Sequence, residues 1–167
     1  MQNVAVPRPV SSQPLFPVVH TSGEAEYRHH STRNIDVDYQ FIAMLDSYRP
    51  SGGLARAQEV AALSERHGGP DAATLTNWIA KREVICFDWQ SHTWFPLFQF
   101  NPFDMTRHQG LGTLFAELAT VYDAWELANW FAQPNPWLAN RVPADTFLSD
   151  LGAVLHAARA DRFRASH

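Results

Sequence analysis

The chain has 167 residues, of which 46% are hydrophobic and 18% charged, and it carries a formal charge of −4. That length suits one domain or two small ones, the composition argues against wholesale disorder, and the acidic balance disfavours a broad electrostatic surface for nucleic acid while leaving room for a local basic edge. The single cysteine, Cys86, excludes an internal disulfide and a cysteine-cluster metal site, and no apolar run approaches the roughly 18 residues of a membrane span.

Residues 1–34 read as a flexible Pro/Ser-rich arm. Pro7, Pro9, Pro14 and Pro17 each fix φ and remove a donor, so no long helix is expected in the arm. A short extended piece is expected at Leu15–His20. Its Phe16, Val18 and Val19 either trail in solvent or tuck onto a partner chain. From Ile35 to Tyr48 the spacing turns helical, with Ile35, Tyr39, Ile42 and Leu45 on one face. Asp36 and Asp38 suit the positive end of that helix, and Pro50, Gly52 and Gly53 stop it.

Two short helices follow. Leu54–Arg66 sets Leu54, Ala57, Val60, Ala61 and Leu63 near one side, and His67-Gly68-Gly69 ends it. The second runs over Asp71–Arg82 with Leu75, Trp78 and Ile79 as its apolar stripe, started by Pro70 or capped by Asp71. Val84–Trp89 is β-branched and aromatic, Gln90-Ser91-His92 is a turn, and Thr93-Trp94-Phe95 returns as the second strand of a hairpin that Pro96 closes. Two helices on a tight connection followed by a hairpin is the layout of a winged helix-turn-helix. Leu97–Phe103 is an apolar linker that could serve a homodimer.

The last third returns to helix. Leu111–Ala132 carries Leu111, Leu114, Phe115, Leu118, Tyr122, Trp125 and Ala128 on one stripe until Gln133-Pro134-Asn135-Pro136 breaks it. A short helix starts near Pro143, and a final one near Leu151 shows Leu151, Val154, Leu155 and Ala158 at helical spacing. The fold class is therefore mainly α. A helix-turn-helix-like module with a small β-hairpin wing spans residues 35–109, and a helical domain spans residues 110–167.

Chemistry that would mark an enzyme is sparse. The adjacent His29 and His30 do not share the face that a helical zinc pair needs, and the other six histidines are scattered. There is no Gly-rich phosphate loop and no Gly-x-Ser-x-Gly elbow. Asp123 and Glu126, three apart, read as a solvated helix face rather than paired carboxylates. No metal or cofactor is expected. A small enzyme would have to assemble its site from residues distant in sequence.

The segment Trp130-Phe131-Ala132-Gln133-Pro134-Asn135-Pro136-Trp137-Leu138, then Arg141-Val142-Pro143-Ala144-Asp145, then Leu151-Gly152-Ala153-Val154-Leu155, resembles the toxin-binding domain of Xre/MbcA/ParS-type antitoxins over roughly residues 110–163. The residues also make physical sense alone. Each proline pushes its predecessor out of the α region, Asn135 can bond its own local backbone, and the donors of Arg141 could pin the turn. The alternative account of such a corner is a helix–helix turn that only builds a core. The resemblance implies a cytoplasmic type II antitoxin that neutralises a RES-type, NAD-consuming toxin by direct binding, with a helix-turn-helix that represses its own operon. By that resemblance Trp130, Asn135, Pro136 and Arg141 belong to the toxin-binding corner, and Arg159, Arg162, Phe163 and Arg164 are its docking residues. Deleting Arg159–His167 is then expected to spare the fold. The competing account of that basic tail is a helix C-terminus carrying favourable cations.

Operator DNA would be read by the Asp71–Arg82 helix through Thr74, Thr76, Asn77 and Lys81, with Arg82 on the backbone. Charge argues against it. Ser51–Gly110 holds five Lys/Arg against six Asp/Glu, whereas DNA affinity rests largely on neutralising phosphates. The alternatives are a stand-alone transcriptional regulator without a toxin, or a winged module turned protein-interaction surface.

Overall fold

Helix α1 runs from Gly23 to Tyr48 in the computed structural model of the chain, which describes the backbone from Gly23 to His167 and the side chains from Ile35 onward. The chain divides into two units, residues 1–34 and residues 35–167. The expected extended piece at Leu15–His20 lies outside the described residues. The expectation that no long helix runs in the arm is corrected from Gly23 onward, because the prolines that forbid helix end at Pro17 and Gly23–Asn34 has none.

In the second unit the elements follow as β1 (Leu54–Arg56), α2 (Ala57–Arg66), α3 (Ala72–Ala80), β2 (Phe87–Trp89), β3 (His92–Pro96), α4 (Leu111–Leu118), α5 (Ala124–Ala132), α6 (Pro143–Thr146) and α7 (Leu151–Ala165). The protein is mainly helical with one small antiparallel sheet, in the order β1-β3-β2. A helix, a strand, two helices and a hairpin whose returning strand pairs with the first strand is the element order of a winged helix-turn-helix. Gln90 and Ser91 both hold positive φ, at 47° and 62°, and Trp89 pairs with His92. The hairpin turn is thus the two-residue kind whose twist matches the strands, and His92 belongs to β3 rather than to the turn.

Two helices start differently from the sequence expectation. Leu54–Arg56 is a strand, with Leu54 opposite Pro96 and Arg56 opposite Trp94, so α2 begins at Ala57. Leu111–Ala132 is two helices rather than one, since Asp123 starts α5 with a reciprocal cap. Its carboxylate accepts from the Glu126 N–H at 2.8 Å, and the Glu126 carboxylate accepts from the Asp123 N–H at 2.9 Å. Asp123 and Glu126 are this capping pair.

The strand expected from Val84 begins only at Phe87. Gln99, fully buried, supplies the reason. Its Oε1 accepts from the Ile85 N–H at 2.7 Å, and its Nε2 donates to the Ile85 carbonyl at 2.8 Å and to the Pro96 carbonyl at 2.9 Å. One amide thus satisfies the backbone that a neighbouring strand would otherwise serve. Within the Leu97–Phe103 linker that carries it, Phe98, Gln99 and Phe100 are buried, while Pro102 and Phe103 at its end are exposed.

The face of α1 is also rotated from expectation. Phe41, Met44 and Tyr48 are buried, while Ile35, Tyr39 and Ile42 of the expected stripe are exposed and only Leu45 packs in part. The helix is apolar on two sides, and the aromatic side wins by its partners. Phe41 stacks on Trp89 with centroids 3.7 Å apart and planes within 8°. The Tyr48 hydroxyl donates to the Ala128 carbonyl in α5, and burial holds its pKa well above the ordinary tyrosine value. Asp38 accepts from the Trp89 indole at 3.1 Å.

These contacts join the two expected modules. Phe41, Met44, Tyr48, Ile85, Phe87 and Phe98 share one core with Leu111 and Leu118 of α4, Phe131 of α5 and Val154 and Ala158 of α7. The expected boundary near residues 109/110 is therefore crossed by packed side chains. A second cluster under the sheet joins Ala55, Val60, Phe95, Phe100 and Met105. Alternation along β3 sends Trp94 to the first core and Phe95 to the second. Gly110 permits the closest approach of α7, since a Cβ there would run into the Leu151 side chain.

Gln99→Leu keeps the volume but strands the Ile85 N–H and two buried carbonyls. It should cost about 2–4 kcal/mol in urea unfolding, within one cooperative transition for residues 35–167. A loss under about 0.5 kcal/mol, or two separated transitions, would contradict the shared-core account.

Candidate functional site

The corner between α5 and α7 is built from its prolines outward. Gln133 (φ −101°, ψ 147°) and Asn135 (φ −111°, ψ 125°) are extended, as the residue before each proline must be. Pro136 opens a single 3-10 turn to Leu138, and Ala139 and Asn140, with φ of 54° and 61°, reverse the chain. The turn closes on itself. The Asn135 N–H donates to the Arg141 carbonyl at 3.0 Å, and the Asn140 N–H to the Asn135 carbonyl at 2.9 Å. The Asn135 side chain accepts from the Trp137 N–H at 2.9 Å, the local bond expected of it.

What holds this corner to α7 is Asp161, a buried carboxylate. Its Oδ2 accepts from the Trp130 indole at 2.9 Å and from Asn135 Nδ2 at 2.8 Å, and its Oδ1 accepts from the Trp137 indole at 3.2 Å. Arg164 Nη1 lies 3.4 Å from the same Oδ1. Three neutral donors and one exposed guanidinium thus satisfy a charge that burial would otherwise penalise. Asp161 lies outside the residues to which the motif resemblance points. The legible signal is its place three and four residues from Ala158 and Ala157, on the stripe that carries Val154, Ala157 and Ala158 into the core.

The sequence-derived site residues fall into four groups. Asn135 is buried and Trp130 half-buried, both on Asp161, so they build the corner. Arg141 is exposed and donates from Nε to the Leu138 carbonyl at 3.1 Å, pinning the turn. Arg159 and Arg162 fasten α7 to α4 through one carboxylate. Arg159 Nε is 2.9 Å from Glu117 Oε1, and Arg162 Nη1 is 2.7 Å from Oε2 though off the line of a well-aligned hydrogen bond. Both guanidinium groups remain half-exposed. Pro136, Phe163 and Arg164 face solvent, with Phe163 65% exposed. Because Asp161 lies within Arg159–His167, deleting that segment removes the acceptor of the corner, which corrects the expectation that the fold is spared.

The exposed surface of the corner is aromatic. Trp137 is 49% exposed, with its ring centroid 6.2 Å from that of His156. His156 and Phe163 lie seven residues apart on α7, and the rings of Phe163 and of His167, just past the helix end, stand 4.4 Å apart. Neither Trp137 nor His156 was singled out from the sequence. Trp137 follows a motif residue directly, and its side chain stays out because the indole N–H needs the rim of Asp161 rather than the core.

At the other end of the unit, α3 starts with Asp71, whose side chain accepts from the Thr74 N–H at 2.8 Å. The hydrogen bonds from Thr74 hold the Asp71 carboxyl below the ordinary range. Thr74 is half-buried, and the Thr76 hydroxyl turns back to the Ala72 carbonyl at 2.8 Å. Asn77, Lys81 and Arg82 are exposed at the far end. Two other cations of this half, Arg107 and Arg56, lie over aromatic rings. The Arg107 guanidinium lies 4.9 Å over the Trp78 ring and near Glu83, and that of Arg56 lies 5.3 Å over Trp94. A cleft of about 690 Å³ between α2 and α3 is floored by Ala61, Ala62, Ala72 and Leu75 and rimmed by Glu65 and Asp71, with no histidine or nucleophile in its lining.

Among the described residues no three metal-ligating side chains come together, and no helix is long and apolar enough to cross a membrane. No protein-family model, curated protein or solved structure matches the chain.

Asp161→Asn keeps the shape but turns an NH₂ group toward donors. It should cost about 2–3 kcal/mol and shift the emission of Trp130 and Trp137 in the folded protein. An unfolding curve within about 0.5 kcal/mol of wild type would contradict the role given to this carboxylate.

Proposed function

We propose that the chain is a binding protein rather than an enzyme, a cytoplasmic antitoxin whose C-terminal corner docks on a cognate toxin, with a RES-type, NAD-consuming toxin as the partner its motif resemblance favours. The observation that carries the reading is the Asp161 clasp. It commits the polar atoms of the Pro-Asn-Pro corner inward and leaves Trp137, Phe163 and Arg164 exposed. Tryptophan and arginine are enriched among residues that dominate protein interfaces, and a rigid backing lowers the ordering cost of presenting them. Phe163 and Arg164 remain docking residues in this reading. Trp137 joins them, while Trp130, Asn135 and Arg141 hold the corner in shape and Arg159 and Arg162 hold α7 on α4. Pro136 sets the exposed start of the turn.

A second reading, repression of its own operon, is favoured by the winged order of α1, β1, α2, α3, β2 and β3. In it Asn77, Lys81 and Arg82 of α3 and the tip residues Gln90–His92 would approach DNA, with Thr74 and Thr76 contributing little because their groups are already engaged. The acidic α2–α3 cleft opposes phosphate, so any such binding depends on few ion pairs and a shallow salt slope.

The test is co-expression with the adjacent gene product, read by rescue of growth, by co-purification and by retention of upstream DNA. Trp137→Ala and Phe163→Ala should each weaken toxin binding about 30-fold or more, as residues at the centre of an interface do; Phe163→Ala should hold the melting temperature of the free protein within a few degrees, whereas Trp137→Ala, which removes a donor from Asp161, should lower it. Lys81→Ala/Arg82→Ala should affect only DNA retention. A neighbour that is harmless alone, or that binds both aromatic variants as tightly as wild type, sinks the toxin-docking reading. Retention indifferent to Lys81 and Arg82 sinks the operator reading.

A further inference from the structure

Between α2 and the turn that joins α6 to α7 lies a cavity of about 390 Å³. Leu63 of α2, Phe98 and Met105 of the stretch between β3 and α4, and Leu148 of that turn stand in its wall. Among the described residues that line it, only Ser51 and His67 carry polar side chains, and no carboxylate, lysine or arginine is among them. The Ser51 hydroxyl donates to the Tyr48 carbonyl at 3.1 Å, which leaves its oxygen to act as an acceptor. The walls are set before anything binds. Phe98 and Met105 are buried, and Met105 holds a φ of 57°, a left-handed conformation uncommon outside glycine. Its N–H donates to the Asn101 carbonyl at 2.7 Å, and the Asn101 N–H donates to the Thr106 carbonyl at 2.7 Å, so the loop that carries Met105 closes on itself. Strained backbone that its surroundings hold in place clusters at ligand sites, and here it stands in a cavity wall.

We propose that this cavity binds an uncharged, largely hydrophobic small molecule that carries one hydroxyl or aromatic amino group. Size sets the first limit. A cavity of about 150 Å³ with apolar walls takes a benzene ring, so this one takes roughly twelve to fifteen non-hydrogen atoms, within the range of small-molecule sites. Water is a poor occupant. An ordered water needs two to four polar partners, which Ser51 and His67 supply for little of the space, and an apolar body that displaces poorly held water gains affinity. Charge sets the second limit. An ionic head group would lose its hydration here with no counter-charge in the lining. A neighbouring hollow that shares Ser51, Phe98 and Leu148 carries Asp145, which opposes anions further. A single O–H or N–H, by contrast, finds the Ser51 oxygen and the His67 ring. Because the walls come from α2, which leads into α3, and from the turn that leads into α7, the bound molecule touches both halves of residues 35–167.

This site does not depend on what the C-terminal corner binds. The probe is 1-aminoanthracene, an uncharged fluorophore that brightens in apolar surroundings, titrated into the full chain. One equivalent should bind with a dissociation constant in the micromolar range, and 1-decanol should displace it. Decanoate and decylammonium should compete at least ten-fold less well. Location is read from the methyl resonances of the methionines. That of Met105 should shift on saturation, and that of Met44, in the other core cluster, should stay in place. Leu148→Asp sets a carboxylate in the wall at a position that is 67% exposed, so it should weaken the probe at least ten-fold while holding the melting temperature within a few degrees. Leu63→Trp, which fills the space, should weaken it as much. Phe103→Ser alters an exposed aromatic outside the lining and should leave binding unchanged. A titration that does not saturate at one equivalent, a probe that moves Met44 rather than Met105, or binding indifferent to both Leu148→Asp and Leu63→Trp overturns the proposal. Displacement by decanoate or decylammonium at lower concentration than by 1-decanol overturns the uncharged class.

Discussion

A single buried carboxylate governs the C-terminal half of this protein. Asp161 receives hydrogen bonds from Trp130 at the end of α5, from Asn135 in the turn and from Trp137 beyond it, so that three points of the chain between residues 130 and 137 are fixed to one atom pair on α7. A buried charge is costly unless its oxygens are satisfied, and here the satisfaction can only be had in one geometry of the turn. The prolines limit the turn to extended backbone, and Asp161 selects among the shapes that remain. Glu117 works in the same sense from the other side, drawing Arg159 and Arg162 across to α4. Helix α7 is thereby held by charge along its polar flank as well as by Val154, Ala157 and Ala158 along its apolar one.

The winged half is tied to this corner by aromatic packing rather than by charge. Phe41 on Trp89, Phe98 against Phe131 at 5.2 Å and against Phe147 at 5.4 Å, and Tyr48 bonded to Ala128 run the core continuously from α1 to α6. Each ring pair adds modestly to the area it buries, but the pairs are shared between elements distant in sequence. The rigidity that the proposed docking surface requires is therefore supplied partly by residues of the hairpin half, and a mutation in α1 or β2 is expected to reach α7 through contiguous packing.

Much of this was legible in the residues. The mainly helical class, the hairpin, the Asp71 cap, the break at Pro134–Pro136 and the local role of Asn135 all follow from rules that act within a few positions. The errors share one physical origin, which is that local patterns admitted two solutions and tertiary partners chose. Helix α1 offers Ile35-Tyr39-Ile42-Leu45 and Val37-Phe41-Met44-Tyr48 at the same spacing, and only the partners Trp89 and Ala128 show which side is inside. Val84–Cys86 has strand chemistry but yields its ladder bonds to the side chain of Gln99, a residue fourteen positions beyond Ile85. The break at Asp123 was available from its capping pair with Glu126, but the apolar stripe of Leu111–Ala132 outweighed it. In the candidate site, the exposed Phe163 and the pinning by Arg141 were legible. The inward commitment of Trp130 and of the tail arginines was not, because it depends on Asp161 and Glu117 arriving from other helices.

The account stands on the claim that the clasped corner, and not the winged half, is the face offered to a partner protein. Indole N–H resonances of the six tryptophans, followed while purified toxin is added, test it most directly. The account predicts that Trp137 shifts or broadens first and most, that Trp130 follows weakly, and that Trp78, Trp89 and Trp94 stay in place. A titration in which the toxin moves Trp78 or Trp94 and leaves Trp137 untouched would contradict it.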